Sequence, residues 1–303
     1  MKKLSVVVSA FNEEKKIGEC LKSVKDFADE IVFVDNSSSD KTVEIAKKYT
    51  SKIFTRPNNL MLNVNKNFGF SKASGEWILS LDADERVTPE LQKEIKSAIE
   101  QSNNRTMNGY WIPRKNIIFG KWVKHTGWYP DHQMRLFRKG KGKFEERHVH
   151  EMIQVDGKTE YLKEQLLHYN FDSINQFLYK HVVIYASNEA QELLRKGYVF
   201  RWQDVIAFPL KEFMNRFFAR EGYKDGFLGL LLSIGMAFYH FIIFAYVWEK
   251  QGFPNIGDAD FLTETEAEFA KKHKEMKKWF INEKVKTAKN IIAKIKLKIA
   301  GKF

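Results

Sequence analysis

Short β-branched runs alternate with helical spacings through the first hundred residues, the pattern of a parallel sheet covered by helices. Leu4 to Ser9 predicts a buried strand, Glu13 to Phe27 a helix, and Glu30 to Val34 a second strand. Asn36-Ser37-Ser38-Ser39-Asp40 supplies turn and N-cap chemistry for a helix running through Lys48. Lys52 to Thr55 reads as a third strand and Asn63 to Ala73 as a helix, with Gly75 as a break. Trp77 to Leu81 then forms a strand that ends directly on Asp82-Ala83-Asp84, and Thr88-Pro89-Glu90 opens another helix with proline at its first position. From Gly109 to His168 the pattern is irregular and rich in aromatic and basic residues, which predicts a mixed sheet completing a domain over residues 1–170.

Beyond Asn170 the spacing turns helical, and residues 171–270 form a region of their own. Phe177 to Leu194 and Phe208 to Phe218 are two helix candidates. Gly226 to Trp248 carries no charged residue over 23 positions, enough for a helix to cross a bilayer core of ~30 Å. In residues 271–303, Ile281, Val285, Ala288, Ile292, Ile295 and Ile299 fall at alternating spacings of four and three among lysines. That pattern predicts one basic amphipathic helix.

Composition narrows the class. A chain of 303 residues with 44% hydrophobic content and six prolines can bury a full core, which excludes disorder, collagen-like repeats and a disulfide miniprotein. Cys20 stands alone, and the start of the chain meets Glu13 and Glu14 too soon for a secretory signal, so a cytosolic protein is expected. The net charge of +12 is uneven: twelve lysines against Glu275 and Glu283 put +10 of it into residues 271–303. The body is therefore nearly neutral, and with no zinc-finger, homeodomain or RNP-like pattern no nucleic-acid partner is expected.

Open α/β sheets carry their functional groups at the carboxyl ends of strands. Here those ends hold Ser9 to Glu13, Asp35-Asn36 and Asp82-Ala83-Asp84. Each set alone could be ordinary helix-capping loop chemistry, but three on one edge favour a site. Hard carboxylate oxygens of an Asp-x-Asp pair suit a divalent cation bridging two phosphates. No Gly-x-Gly-x-x-Gly or other glycine-rich loop follows the first strand, which disfavours a dehydrogenase or nucleotidyltransferase.

These residues resemble a known family. SVVVSAFNEE (Ser5 to Glu14), VDNSSSDKT (Val34 to Thr42), NKNFG (Asn65 to Gly69) and GEWILSLDADE (Gly75 to Glu85) are similar, in order and spacing, to the motifs of family-2 glycosyltransferases. The resemblance implies the α/β fold class called GT-A, a Rossmann-like nucleotide-diphospho-sugar transferase domain. It implies that Ser9, Glu13 and Asp35 surround the uracil and ribose of a UDP-sugar, with Lys66 near the pyrophosphate. Asp82 would face the ribose and sugar, and Asp84 would ligate a manganese or magnesium ion. Asn36 departs from the aspartate often found there, and Ser9 stands where proline is common.

Inverting transfer needs a carboxylate to deprotonate the acceptor hydroxyl. Asp131, in PDHQMRL followed by Gly140, is similar to the family's segment preceding an Arg-Leu and a glycine, although the usual Glu-Asp pair would fall at Trp128-Tyr129. Glu151 in HVHE is the rival base, Glu145 and Glu146 are further carboxylates of the same stretch, and His148 and His150 are read as structural. Arg135 and Arg138 could stabilise the phosphates or lie on a strand surface. YPDHQMRLFRKGKGKFEERHVHE resembles the subgroup of lipopolysaccharide core β-glucosyltransferases, which implies glucose transfer from UDP-glucose to a lipid-linked saccharide at the cytoplasmic face of the inner membrane.

A single span at Gly226 to Trp248 would carry the +10 tail outward, against the positive-inside tendency. An in-plane or packed helix is expected instead, with the tail on an anionic membrane surface. Two rival readings remain: sugar transfer to a polyprenyl phosphate, which needs no base because the acceptor is already ionised, and a non-enzymatic membrane-surface adaptor with an inert α/β body.

Overall fold

The computed structural model describes residues 3–58, 62–101, 107–146, 151–257, 260–288 and 290–300. The chain divides into two compact units: Met1–Trp122 with Tyr129–Asn170, and Val123–Trp128 with Phe171–Phe303.

In the first unit, β1 (Leu4–Ala10), β2 (Glu30–Asp35), β3 (Lys52–Thr55) and β4 (Trp77–Leu81) run parallel, with Ala10 paired to Asp35 and Val8 to Leu81. Four short strands and one long one follow: β5 (Glu85–Val87), β6 (Met107–Ile118), β7 (Lys121–Trp122), β8 (Asp131–Arg138) and β9 (Gly142–Lys143). They are completed by β10 (Gln154–Val155), β11 (Lys158–Tyr161) and β12 (Leu166–Phe171). The main sheet has the order β3-β2-β1-β4-β8-β6-β12-β5, with β7 and β11 also on β6, while β9 and β10 pair separately. Antiparallel β8 beside β4 places Arg138 opposite Trp77, so the sheet is mixed, as the irregular stretch after Gly109 suggests.

Alternation along β1 fills both faces of the sheet. Val6 and Val8 join Phe33, Leu79 and Leu81 under α1 (Ile17–Lys22) and later α4 (Pro89–Gln101), whereas Val7 packs with Val32, Ile78, Phe70 and Phe137. Full burial of such side chains contributes about 1.5–3 kcal/mol each. The helix expected over Glu13 to Phe27 is shorter: Glu13 O closes a turn with Lys16 and Ile17, and Ser23 Oγ takes up Cys20 O at the other end. Likewise α2 (Thr42–Ala46) stops before Lys48. The next helix, α3 (Leu62–Lys72), presses on β1 and β2 at Gly69, where a Cβ would stand 2.6 Å from Val7 Cγ1. Only glycine allows this approach, and the approach carries Lys66 over the strand ends.

The second unit is helical. Its chain order is α5 (Ile174–Leu178), a π-helical stretch Tyr179–Tyr185, α6 (Ala186–Arg195), α7 (Asp204–Met214) and a second π-helical stretch Asn215–Ala219. Then come α8 (Gly226–Lys250), α9 (Phe261–Thr287) and α10 (Ile291–Ala300). Along α7 and α8, the Phe208 ring lies tilted against Phe244 at 4.8 Å and Glu212 faces His240 at 4.0 Å, so the two helices lie antiparallel. Leu232, Ser233, Met236, Ile243, Phe244 and Val247 form the buried side of α8. Its exposed side chains recur at Phe227, Ile234, Phe238, Phe241 and Trp248, the three-and-four spacing of one helix face.

The structure corrects the expectation of one continuous tail helix. Ala288 is extended (φ −65°, ψ 130°) and Asn290 Oδ1 accepts the Ala293 N–H at 2.8 Å, an N-cap that starts a new helix. Ile281 and Val285 are half-buried in α9, whose end is fixed by Trp279 stacked on Phe218 and by Glu283, buried and bonded by Tyr223 OH and Lys286. Ile292, Ile295 and Ile299 are exposed on α10.

Candidate active site

The carboxyl ends of β1, β2 and β4 meet because these strands are adjacent and parallel. Asn12 (φ 52°) turns the chain after β1, and its N–H donates to Ser38 Oγ while its Oδ1 accepts Ser39 N–H. Glu13 N–H donates to Thr42 Oγ1 at 2.8 Å, so the loops after β1 and β2 brace each other. Asp35 is buried and accepts the Ser38 N–H at 3.1 Å. Ser9 is tied to its neighbour rather than to Asp35: Asn36 Nδ2 donates to Ser9 Oγ at 3.1 Å, and Asn65 Nδ2 donates to Asn36 Oδ1 at 2.7 Å. Asn36, which stands where an aspartate is often found, is thus the post that links β1, β2 and α3.

The turn after β4 is closed by a reciprocal pair: Glu85 N–H donates to Asp82 O at 3.0 Å, and Asp82 N–H donates to Glu85 Oε2 at 2.9 Å. This fixes both Asp82 and Glu85 at the sheet edge. Lys66 Nζ bonds Asp82 Oδ1 and Arg135 Nη2 bonds Asp82 Oδ2, each at 2.5 Å, and Arg135 Nη2 also reaches Glu85 Oε1 at 2.7 Å. Burial opposes ionisation of Asp82, but the Arg135 and Lys66 charges outweigh it and hold the carboxyl well below the usual carboxylate range. Burial likewise opposes the charge on Arg135, and Asp82 and Glu85 push its pKa up, so the guanidinium stays charged. Its Nε–H is buried with no hydrogen-bond partner among the described residues.

Asp84 faces His168 on β12, with Nε2 to Oδ2 at 3.5 Å, and its carbonyl accepts the Tyr169 N–H at 2.9 Å. His168 Nδ1 is 2.6 Å from Asn116 Oδ1, which orients the ring with Nε2 toward the carboxylate. A carboxylate and a neutral imidazole nitrogen are suitable cation ligands. Among the described residues no three His, Cys, Asp or Glu side chains are grouped as a metal cage. Asp84, with His168 beside it, would be the residue to hold a divalent cation, which would supply charge neutralisation at a diphosphate.

Asp131 begins β8 and accepts from Arg114 Nε (2.8 Å) and Nη2 (2.5 Å), Asn116 Nδ2 (3.2 Å) and Gln133 Nε2 (2.8 Å). Burial raises its pKa, but Arg114 and these amides together bring it below the ordinary value. Arg114 Nη1 also lies 3.5 Å from Glu85, so one chain of charges joins Lys66, Asp82, Arg135, Glu85, Arg114 and Asp131. Glu151 accepts the Glu146 N–H at 2.8 Å, and Glu146 Oε1 is held by Asn67 of α3. Arg138 packs over Trp77 and pairs with Glu76 at the opposite end of β4, away from the acidic turn. His148 and His150 lie outside the described residues.

Sequence reasoning missed Glu85, Arg114, Asn116 and His168. Glu85 stands in the same acidic run as Asp84, and its total burial distinguishes it. The others come from β6 and β12, whose pairing partners no local spacing reveals.

Residues 5–157 match the family model described as Glycosyl transferase family 2. An uncharacterized glycosyltransferase of Rickettsia typhi is 32% identical over 259 residues, covering 82% of this chain and 88% of its own. The chain therefore belongs to glycosyltransferase family 2, and its sheet is a Rossmann-like GT-A arrangement. The lipopolysaccharide core biosynthesis glycosyltransferase LpsC of Rhizobium meliloti is 25% identical over 267 residues, covering 84% of this chain and 97% of its own. Among solved structures, residues 1–349 of S. aureus TarS in complex with UDP align over 84% of this chain and 94% of that one, with 18% identity and a TM-score of 0.44.

Proposed function

We propose that this family-2 enzyme is an inverting, cation-dependent hexosyltransferase that moves glucose from UDP-glucose to a lipid-linked saccharide such as the lipopolysaccharide inner core. The observation that carries this reading is the Lys66–Asp82–Arg135 network beside Asp84 at the carboxyl ends of the parallel strands. It offers two cations and an orphan Nε–H where a diphosphate leaving group would gain charge. LpsC acts in lipopolysaccharide core biosynthesis by its name, which supports the acceptor class. The UDP bound to TarS and the Mn2+ and UDP-glucose bound to glucosyl-3-phosphoglycerate synthase of Mycobacterium tuberculosis belong to those proteins.

In this reading Ser9, Glu13 and Asp35 hold the uridine, and Lys66 and Arg135 neutralise the phosphates. Asp84, with His168 beside it, would hold a manganese or magnesium ion, which supplies further charge neutralisation at the diphosphate. Asp131 is the base: held below the usual carboxylate range by Arg114, it is ionised at neutral pH and can accept a proton. The acceptor oxygen attacks the anomeric carbon while the bond from that carbon to the phosphate oxygen breaks. UDP leaves with the electron pair, the acceptor proton passes to Asp131, and the anomeric configuration inverts. The rival base, Glu151, is separated from Asp131 by a variant test: loss of transfer with retained UDP binding in Asp131→Asn, but not in Glu151→Gln, assigns the role. The basic C-terminal segment would keep the enzyme at the cytoplasmic membrane surface, where such an acceptor resides.

The test is a donor screen. Purified protein is incubated with several nucleotide sugars and manganese, and release of nucleoside diphosphate is followed. Fastest release from UDP-glucose supports the proposal, and release from a different donor alone, or from none, overturns it.

A further inference from the structure

We propose that α8 is not a membrane span but lies in the plane of one leaflet, with its exposed aromatic face entering an anionic bilayer and its opposite face holding the helical unit together. This deepens the membrane reading above and names the surface that makes the contact. It rests on that reading for its purpose and not for its geometry.

The helix has 25 residues, about 37 Å at 1.5 Å per residue, long enough to cross a bilayer core. Its surroundings weigh against it. Glu212 and Arg216 of the neighbouring helical segment form an ion pair at 2.5 Å, and Glu212 lies 4.0 Å from His240, near the middle of α8. A span would carry that pair toward the bilayer midplane, where ionised groups are disfavoured. Burial pulls the His240 pKa down, consistent with a site already poor in water on the packed side.

The opposite face is of another kind. Phe227 is 77% exposed, Ile234 52% and Phe238 45%, and Phe241 and Trp248 continue the same face. No charge interrupts it from Gly226 to Trp248, and charged pairs, Lys224-Asp225 and Glu249-Lys250, stand at its two ends. An uncharged face rich in exposed aromatic residues and bounded by charged residues at both ends fits the boundary between headgroups and acyl chains. The lysines of α10, Lys294 and Lys296, lie among exposed Ile292 and Ile295 and add an attraction to anionic lipid. A second copy is the poorer occupant. The five exposed side chains of α8 offer roughly 500 Å² at about 200 Å² per fully exposed large residue, below the ~800 Å² per partner of a stable interface.

The experiment uses the full chain with vesicles of equal parts phosphatidylglycerol and phosphatidylcholine, sedimented at low and high salt. Wild type should keep part of its binding at high salt. Phe238→Asp should lower vesicle affinity at least tenfold at both salt concentrations, whereas Lys294→Gln with Lys296→Gln should lower it only at low salt. Phe227→Asp, at the most exposed position, is the second variant, and an unchanged thermal melt in either shows that folding is retained. A fluorophore on Phe238→Cys reports depth, since the native Cys20 is fully buried. Quenching by shallow lipid quenchers supports the proposal, and strongest quenching at the bilayer centre overturns it. Wild-type affinity of both aspartate variants overturns it as well, as does a lipid-free dimer that protects the fluorophore. UDP release in solution is followed in the wild type alongside: its absence, with the vesicle results as expected, would count against the catalytic reading alone.

Discussion

Replacing Arg135 by methionine removes one cation from the middle of the charge network while keeping much of the side-chain volume. Glu85 is fully buried and Arg135 is 5% exposed, so the deletion takes place in a dry setting. What remains for Glu85 is the Asp82 N–H at 2.9 Å and Arg114 at 3.5 Å, and Asp82 keeps Lys66 at 2.5 Å. Breaking a buried pair on one side costs about 3–5 kcal/mol. For a unit of this size that lowers the melting temperature by roughly 6–20 °C. The sign of the pH dependence follows from Asp82, whose carboxyl is depressed in the folded protein by Arg135 and Lys66 against the opposing effect of burial. Its contribution to stability is present above the unfolded value of ~3.9 and is lost as pH falls through the depressed value. The gap between wild type and Arg135→Met should therefore narrow on acidification below about pH 4. Scanning calorimetry of both proteins from pH 7 downward measures it. A melting temperature within 2 °C of wild type at neutral pH, or a gap that widens in acid, would refute the reasoning.

Asp84→Ala should abolish cation-dependent UDP release while leaving the melting temperature nearly unchanged; near wild-type turnover with magnesium or manganese would contradict the ligand role. Asp35→Ala should raise the donor KM with little change in kcat, because a base-recognition contact is made equally in ground and transition states; a fall in kcat at saturating donor with constant KM speaks against this. Arg114→Met should move the acid limb of the pH–rate profile for sugar transfer upward, since it removes the charge that most strongly depresses Asp131; an unmoved limb would remove Asp131 from the base role.

The parallel half of the sheet was legible because each of β1, β2 and β4 is a continuous buried run ending on polar residues, so the local pattern and the global fold agree. Lys66, Asp82 and Arg135 could be named from motif order, but their convergence on a single carboxylate could not, since it depends on antiparallel β8 lying beside β4. His168 and Glu85 stand opposite one another only through the β5–β12 register. In α8 nearly every position is apolar, so no periodicity could tell the packed face from the open one. The break between α9 and α10 had a local signal, Asn290 as an N-cap, which the isoleucine spacing concealed.

The segment Val123–Trp128 belongs to the helical unit although the chain on either side of it belongs to the sheet. Asp225, at the start of α8, accepts the N–H groups of Lys124 (3.3 Å) and His125 (2.8 Å) and the Thr126 hydroxyl (3.1 Å), and pairs with the His125 ring at 2.9 Å. Gly127 (φ 82°) completes the fit, because a Cβ there would stand 2.3 Å from Arg220 Nη1. The polypeptide thus passes between the two units three times, and the helices cannot be regarded as an appendage fused after residue 170. Cutting the gene there would strand six residues whose partners had been discarded, the last of them, Trp128, three positions upstream of Asp131. A chimera that takes its C-terminal helices from another enzyme would have to take this inner segment with them, because its hydrogen-bond partners lie there, so the two pieces form a single module split in sequence.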